Sequence, residues 1–220
     1  MKNRDYKNFA PDNYYHTYNR GNEKESIFRE DSDYVLWMAR LKENLFPKPP
    51  SEDGLRRPSS EGERKPLAPN SFSLTTYCLM PNHFHLLIRQ CTELPISKLL
   101  SKVSTGYSKC FNLKYERIGH LFQDKFKAKL VDKNDYLLWL SAYIHANPVV
   151  AGLAKHPANW QWSSYNEYIA ILDSKAAGGR LCETNIITDQ FGSGTEYEQF
   201  VLESIEIIRE KKEIESFLLD

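Results

Sequence analysis

The sequence predicts an α+β fold, an antiparallel sheet with helices packed on it and a helical C-terminal extension. Three observations lead there. Apolar spacing alternates along the 220-residue chain between a period of two and a period near 3.6, in the order β-α-β-β-α-β-α. Two strand-like runs, 71–79 and 84–90, are separated only by a turn around Pro81-Asn82, a connection that suits antiparallel neighbours. The remaining strands alternate with helical runs long enough to cover a sheet face.

The elements follow in order. Residues 13–21 are aromatic and β-prone and close on Gly21, a first strand. Asp31-Ser32-Asp33 offers cap residues before an apolar stripe at Tyr34, Val35, Trp37, Met38 and Leu41, a first helix. Residues 47–70 differ in kind. They hold six of the eleven prolines and no aromatic residue, which predicts a disordered insert within a domain. After the paired strands, Ile96, Leu99, Leu100, Val103 and Tyr107 set a helix over 95–111. Residues 119–130 read as extended, with Lys125, Lys127 and Lys129 on one face and Phe126, Ala128 and Leu130 on the other. A helix is expected over 133–147, stopped by Pro148. The aromatic cluster 160–168 predicts a short helix, and the charged tail from 195 onward an amphipathic one. The expected division is a domain over 1–170 and an acidic helical extension over 171–220.

Composition narrows the function. Hydrophobic residues make up 41% of the chain, ordinary for a folded domain. No apolar run reaches the roughly 20 residues that span a bilayer, and the first residues lack a signal-peptide core, so a cytoplasmic, non-membrane protein is expected. Cys78, Cys91, Cys110 and Cys182 are scattered without a Cys-x-x-Cys pair, which speaks against a zinc ribbon and predicts reduced thiols. The formal net charge is zero, yet charge is segregated. Nine Lys/Arg face three acids over 97–133, and ten acids face three bases over 183–220. Such asymmetry suits steering of a polyanion, but taken alone a solvated helix face is the commoner cause.

Two groups of residues carry candidate chemistry. His83 and His85 lie two apart on a strand and so present two imidazoles to one face, a half-site for a divalent metal. Taken alone, His-x-His is short and common, and two ordinary surface histidines account for it. Tyr143 and Asn147 lie at i and i+4 of the later helix and share one of its faces. The phenol can serve as a nucleophile and the amide oxygen as a hard metal ligand. Taken alone, Tyr143 also continues a stripe with Tyr136, Trp139 and Leu140, and Asn147 before Pro148 can close the helix.

Several blocks together carry a family resemblance. They are Tyr15-His16 with Asn19-Arg20-Gly21, Met80-Pro81-Asn82-His83-Phe84-His85-Leu86-Leu87, Gly119-His120-Leu121-Phe122-Gln123-Asp124-Lys125-Phe126, and Tyr143-Ile144-His145-Ala146-Asn147-Pro148-Val149 followed by Ala151-Gly152-Leu153. Over roughly 13–168 the chain resembles the HUH-type single-tyrosine transposases, in the branch of REP-associated tyrosine transposases. The resemblance implies a ferredoxin-like sheet with His83 and His85 on a central strand. It implies Tyr143 as the nucleophile, and His83, His85 and Asn147 as ligands of Mg²⁺ or Mn²⁺. Many relatives outside the branch carry Gln at the last position, one methylene longer than Asn147.

The implied activity is cleavage and rejoining of single-stranded, hairpin-bearing DNA through a 5′-phosphotyrosine, by a homodimer. Arg20, Lys98, Lys102, Lys125, Lys127 and Lys129 are the expected DNA contacts. His145 is expected to be structural or to face DNA. Two other readings stand beside this one: a regulator that binds repeat hairpins without catalysis, and a metal hydrolase that uses water.

Overall fold

The computed structural model describes residues 9–47, 66–173 and 181–217, with side chains described through residue 210. The expected insert at 47–70 lies mostly outside the described residues.

Four strands form one antiparallel sheet: β1 (Tyr14–Arg20), β2 (Phe72–Met80), β3 (His83–Gln90) and β4 (Lys127–Val131), in the order β2-β3-β1-β4. With α1 (Asp31–Leu45) between β1 and β2, and α2 (Ile96–Lys114) between β3 and β4, this is a ferredoxin-like βαββαβ arrangement. Three helices follow: α3 (Asn134–Val150), α4 (Tyr165–Leu172) and the four-residue α5 (Asn185–Thr188). The chain then enters the long α6 (Gly194–Phe217).

The period of two sends alternate residues into two different cores. Tyr15, Leu79, Phe84, Leu86 and Ile88 pack with Trp37 and Leu41 of α1 and with Leu100, Val103 and Tyr107 of α2. From the opposite face, Cys78, Met80, Leu87 and Val131 pack with Leu137, Leu140 and Ile144 of α3, Tyr168 of α4 and Tyr197 and Val201 of α6. The sheet is therefore covered on both sides. His83 and His85 stand on the α3 side.

Three local expectations are corrected. The cap of α1 is Glu30, not a residue of Asp31-Ser32-Asp33, because the Asp33 carboxylate turns back to accept the N–H groups of Arg29 and Glu30. Pro148 does not stop α3, which runs through it to Val150. Ala151 N–H still reaches the Asn147 carbonyl and Leu153 N–H the Pro148 carbonyl, and Gly152, at φ 71°, ends the turn. The strand expected over 119–130 is regular only from Lys127. Before it the chain makes an isolated bridge from Phe122 to Gly21, just past the end of β1, and the Asn19 amide binds the Asp124 carbonyl. Lys125 thus precedes the strand that carries Lys127 and Lys129.

All four cysteines are free thiols. Among the described residues no helix is long and apolar enough to cross a membrane.

Candidate active site

Register decides which side chains meet. β1 runs beside β3 with Arg20 opposite His83 and Tyr18 opposite His85, and beside β4 with Tyr18 opposite Lys127. Arg20, Tyr18, His83, His85 and Lys127 therefore emerge from one face at one end of the sheet. α3 crosses that face and brings Tyr143 and Asn147 to it. The result is a cleft of about 720 Å³ lined by Tyr18, Arg20, His83, His85, Tyr143 and Asn147, with Lys24, Lys125 and Lys127 around them. Its lining holds four basic side chains and one acidic one, Asp124, so it favours an anion.

The rings are close. His83 and His85 have centroids 5.1 Å apart, and the Tyr143 ring meets His85 edge-on at 5.8 Å. Trp139 stacks on Tyr143 at 5.3 Å and so fixes the plane of its ring. Asn147 donates from Nδ2 to the Tyr143 carbonyl at 2.8 Å, which leaves Oδ1 as the acceptor end of the amide.

The Nδ1 atom of each imidazole is engaged. His83 Nδ1 lies 2.6 Å from Asn82 Oδ1. The Asn82 amide orientation is set by its Nδ2, which donates to the Lys24 carbonyl at 3.1 Å. An amide oxygen only accepts, so His83 carries its proton on Nδ1. His85 Nδ1 lies 2.9 Å from Nε2 of His16 on β1. Burial holds both His85 and His16 uncharged. The His85 pKa is well below its usual value through burial, and then through the charges of His16, His83 and Arg20. His16 is lowered to about 4 by burial, with Lys129 adding to the effect. Neutral imidazoles are the form a metal needs.

Tyr143 is shifted the other way. Burial raises its phenol pKa, and the Asn147 side chain offsets part of the rise. The phenol is therefore protonated at neutral pH, and its anion needs a nearby positive charge.

Among the described residues no group of three or more His, Cys, Asp or Glu is arranged to hold a metal. Any site here is built on the two imidazoles and must draw further ligands from an amide, water or substrate. The donor set fits a divalent ion in that form: two neutral imidazoles with a hydrogen-bonded Nδ1, and an amide oxygen on the facing helix.

The other expected DNA contacts divide. Arg20, Lys125 and Lys127 line the cleft. Lys98 lines an adjoining groove of about 850 Å³ beside α2, which shares Asn19, Gln123, Asp124 and Lys125 with the cleft. Lys102 lines neither among the described residues. Lys129 lies over the Tyr136 ring at 4.5 Å and donates to its hydroxyl at 3.2 Å, so it extends the aromatic stack of α3. His145 is fully buried between the Tyr197 hydroxyl and Ser164 Oγ, each at 2.8 Å, and its role is structural.

Sequence reasoning gave no role to His16, Tyr18 or Asn82. The period of two in β1 was the available signal, since it puts His16, Tyr18 and Arg20 on a common face.

Residues 64–147 match the family described as Transposase IS200 like, a span that contains His83, His85, Tyr143 and Asn147. No curated protein matches the chain. Among solved structures, the fold is similar to one described as the REP associates tyrosine transposase bound to a REP hairpin. The TM-score is 0.53 and the identity 14%, over 81% of this chain and 92% of that one. Over residues 64–147 the chain thus carries the sequence pattern of the IS200-like transposases, on a fold shared with a REP-associated tyrosine transposase.

Proposed function

We propose that this protein cleaves and rejoins single-stranded, hairpin-bearing DNA through a 5′-phosphotyrosine on Tyr143. The observation that carries the reading is that Tyr143, His83 and His85 line one cation-rimmed cleft within a single chain. The family match supports a transposase, and the similar fold in a hairpin complex supports a hairpin substrate.

In this reading Arg20, Lys125 and Lys127 hold the phosphates flanking the scissile bond, with Lys98 farther along the adjoining groove. His83, His85 and the Asn147 amide are the residues that would hold Mg²⁺ or Mn²⁺. A divalent ion, when bound, withdraws charge from the scissile phosphate and favours attack on phosphorus.

The chain supplies the nucleophile and its placement. A free phenol titrates at about 10, and burial raises Tyr143 further, so its proton must leave as the new bond forms. The phenol oxygen bonds to phosphorus, the bond from phosphorus to the 3′ oxygen breaks, and that oxygen takes up a proton. The phosphotyrosine conserves the phosphodiester linkage, so attack by a 3′-hydroxyl rejoins strands without ATP. Trp139 keeps the Tyr143 ring in place for both directions.

The test is incubation of the protein with labelled hairpin DNA and Mn²⁺. A protein–DNA adduct that survives denaturation is expected. Tight hairpin binding with no adduct would favour the non-catalytic regulator. Cleavage that persists in Tyr143→Phe would favour hydrolysis by water.

A further inference from the structure

We infer that His16 is a positioning residue: it accepts the Nδ1–H of His85 and thereby fixes the tautomer in which His85 Nε2 keeps its lone pair. The consequence for metal binding rests on the function proposed above. The His16–His85 contact itself does not, whereas its direction, with His85 donating, does.

The geometry begins with strand register. His16 pairs with Leu87, one step of two from His85, so the two histidines are diagonal neighbours on one sheet face. Each is 7% exposed, and their rings lie edge to edge and nearly coplanar, with centroids 5.2 Å apart and an interplanar angle of 22°. The contact between His16 Nε2 and His85 Nδ1 is 2.9 Å, a hydrogen bond that needs one N–H and one lone pair. Only two arrangements exist for neutral rings. If His16 donates, His85 carries its proton on Nε2 and that nitrogen cannot be a ligand. If His85 donates, Nε2 is the basic nitrogen.

The proposed metal role selects the second arrangement, and His83 shows the same wiring. His83 donates its Nδ1–H to Asn82 Oδ1, an atom that can only accept because the same amide donates to Lys24. Both imidazoles then share one wiring, with Nδ1–H given to a neighbour and Nε2 left basic. Paired imidazoles that present the same nitrogen can converge on one ion, and an acceptor behind each ring is what holds such a ligand in orientation. For His83 the acceptor is an amide from the turn before β3. For His85 it is a histidine from the adjacent strand.

The test uses two substitutions in the full chain. His16→Gln keeps an acceptor oxygen at about the reach of Nε2. His16→Phe keeps an aromatic ring beside His85 but has no acceptor. Histidine tautomers are read by ¹H–¹⁵N long-range NMR without metal, and Mn²⁺ affinity by calorimetry. His85 should be the Nδ1–H tautomer in the parent and in His16→Gln, and should shift toward Nε2–H in His16→Phe. Mn²⁺ affinity should fall by about 10–100-fold in His16→Phe, and by much less in His16→Gln. An Nε2–H tautomer in the parent protein would overturn the inference, as would an unchanged tautomer in His16→Phe. Equal losses of affinity in both variants would reduce His16 to packing and overturn it as well. Absence of Mn²⁺ binding in the parent, with the tautomers as expected, would instead contradict the metal in the proposed function while supporting the role of His16.

Discussion

Tyr143 of α3 and His85 of β3 meet edge to face within one chain, with ring centroids 5.8 Å apart. Trp139 backs the tyrosine and His16 backs the histidine, so both partners are held from behind. A complete candidate site therefore needs no tyrosine from a second chain. Mixing Tyr143→Phe with a His83→Ala/His85→Ala variant should restore no adduct formation. Recovery of activity in the mixture would mean that the tyrosine acts across a dimer.

The two imidazoles and the amide should contribute unequally to metal binding. Loss of either His83 or His85 should abolish measurable Mn²⁺ binding by calorimetry, since each supplies half of the nitrogen donors. Asn147→Ala should weaken binding by about tenfold, the scale of an accessory ligand. It also removes the 2.8 Å bond to the Tyr143 carbonyl. Unchanged Mn²⁺ affinity in Asn147→Ala would remove the amide from the ligand set.

Arg20, Lys125 and Lys127 line the cleft, whereas Lys129 is engaged with Tyr136. For single-stranded DNA each neutralised phosphate adds about 0.7 to the slope of log affinity against log salt. An Arg20→Ala/Lys125→Ala/Lys127→Ala variant should therefore lose about 2 from that slope. Lys129→Ala should change it little. A slope unchanged in the triple variant, measured by fluorescence anisotropy across a salt series, would place the DNA elsewhere.

Stability should fall with acid through buried neutral histidines. Burial holds the folded-state pKa of His145 at about 3, below its usual 6.5. Between those values the unfolded chain binds a proton that the folded chain refuses. The contribution is thus complete above pH 6.5 and is lost as pH falls toward 3, at about 1.4 kcal/mol per pH unit for one proton. His16 and His85 act in the same direction. Urea midpoints of metal-free protein should drop steadily from pH 7 to pH 5. A flat profile would show that these histidines are not buried neutral.

The His145 bond to Tyr197 also ties α6 to the helix that carries Tyr143. Tyr197→Phe leaves a buried imidazole nitrogen and Ser141 Oγ short of a partner, and should cost about 1–3 kcal/mol in the same denaturation assay. A change near zero would mean that the network rearranges at no cost.

Much of this was legible in the chain itself. The βαββαβ order follows from the two periodicities, and the positions of His83 and His85 follow from strand alternation. The joining of Tyr143 to those histidines came from a family resemblance, because helix spacing alone says nothing about which sheet face α3 crosses. Pro148 misled, since a proline in the last turn loses one hydrogen bond while the neighbouring turns keep theirs. The strand expected from residue 119 failed because alternation of Lys and apolar residues does not reveal that the Asn19 side chain captures the Asp124 carbonyl. The partnership of His16 with His85 depends on register between strands 69 positions apart, which no local pattern encodes.

The most direct measurement is to trap the protein on a hairpin oligonucleotide with Mn²⁺, digest it, and locate the DNA by mass spectrometry. A nucleotide remnant attached through its 5′-phosphate to the peptide that contains Tyr143 is expected, with no adduct in Tyr143→Phe. A cleaved oligonucleotide with no attached peptide, or an adduct on another residue, would contradict attack by Tyr143.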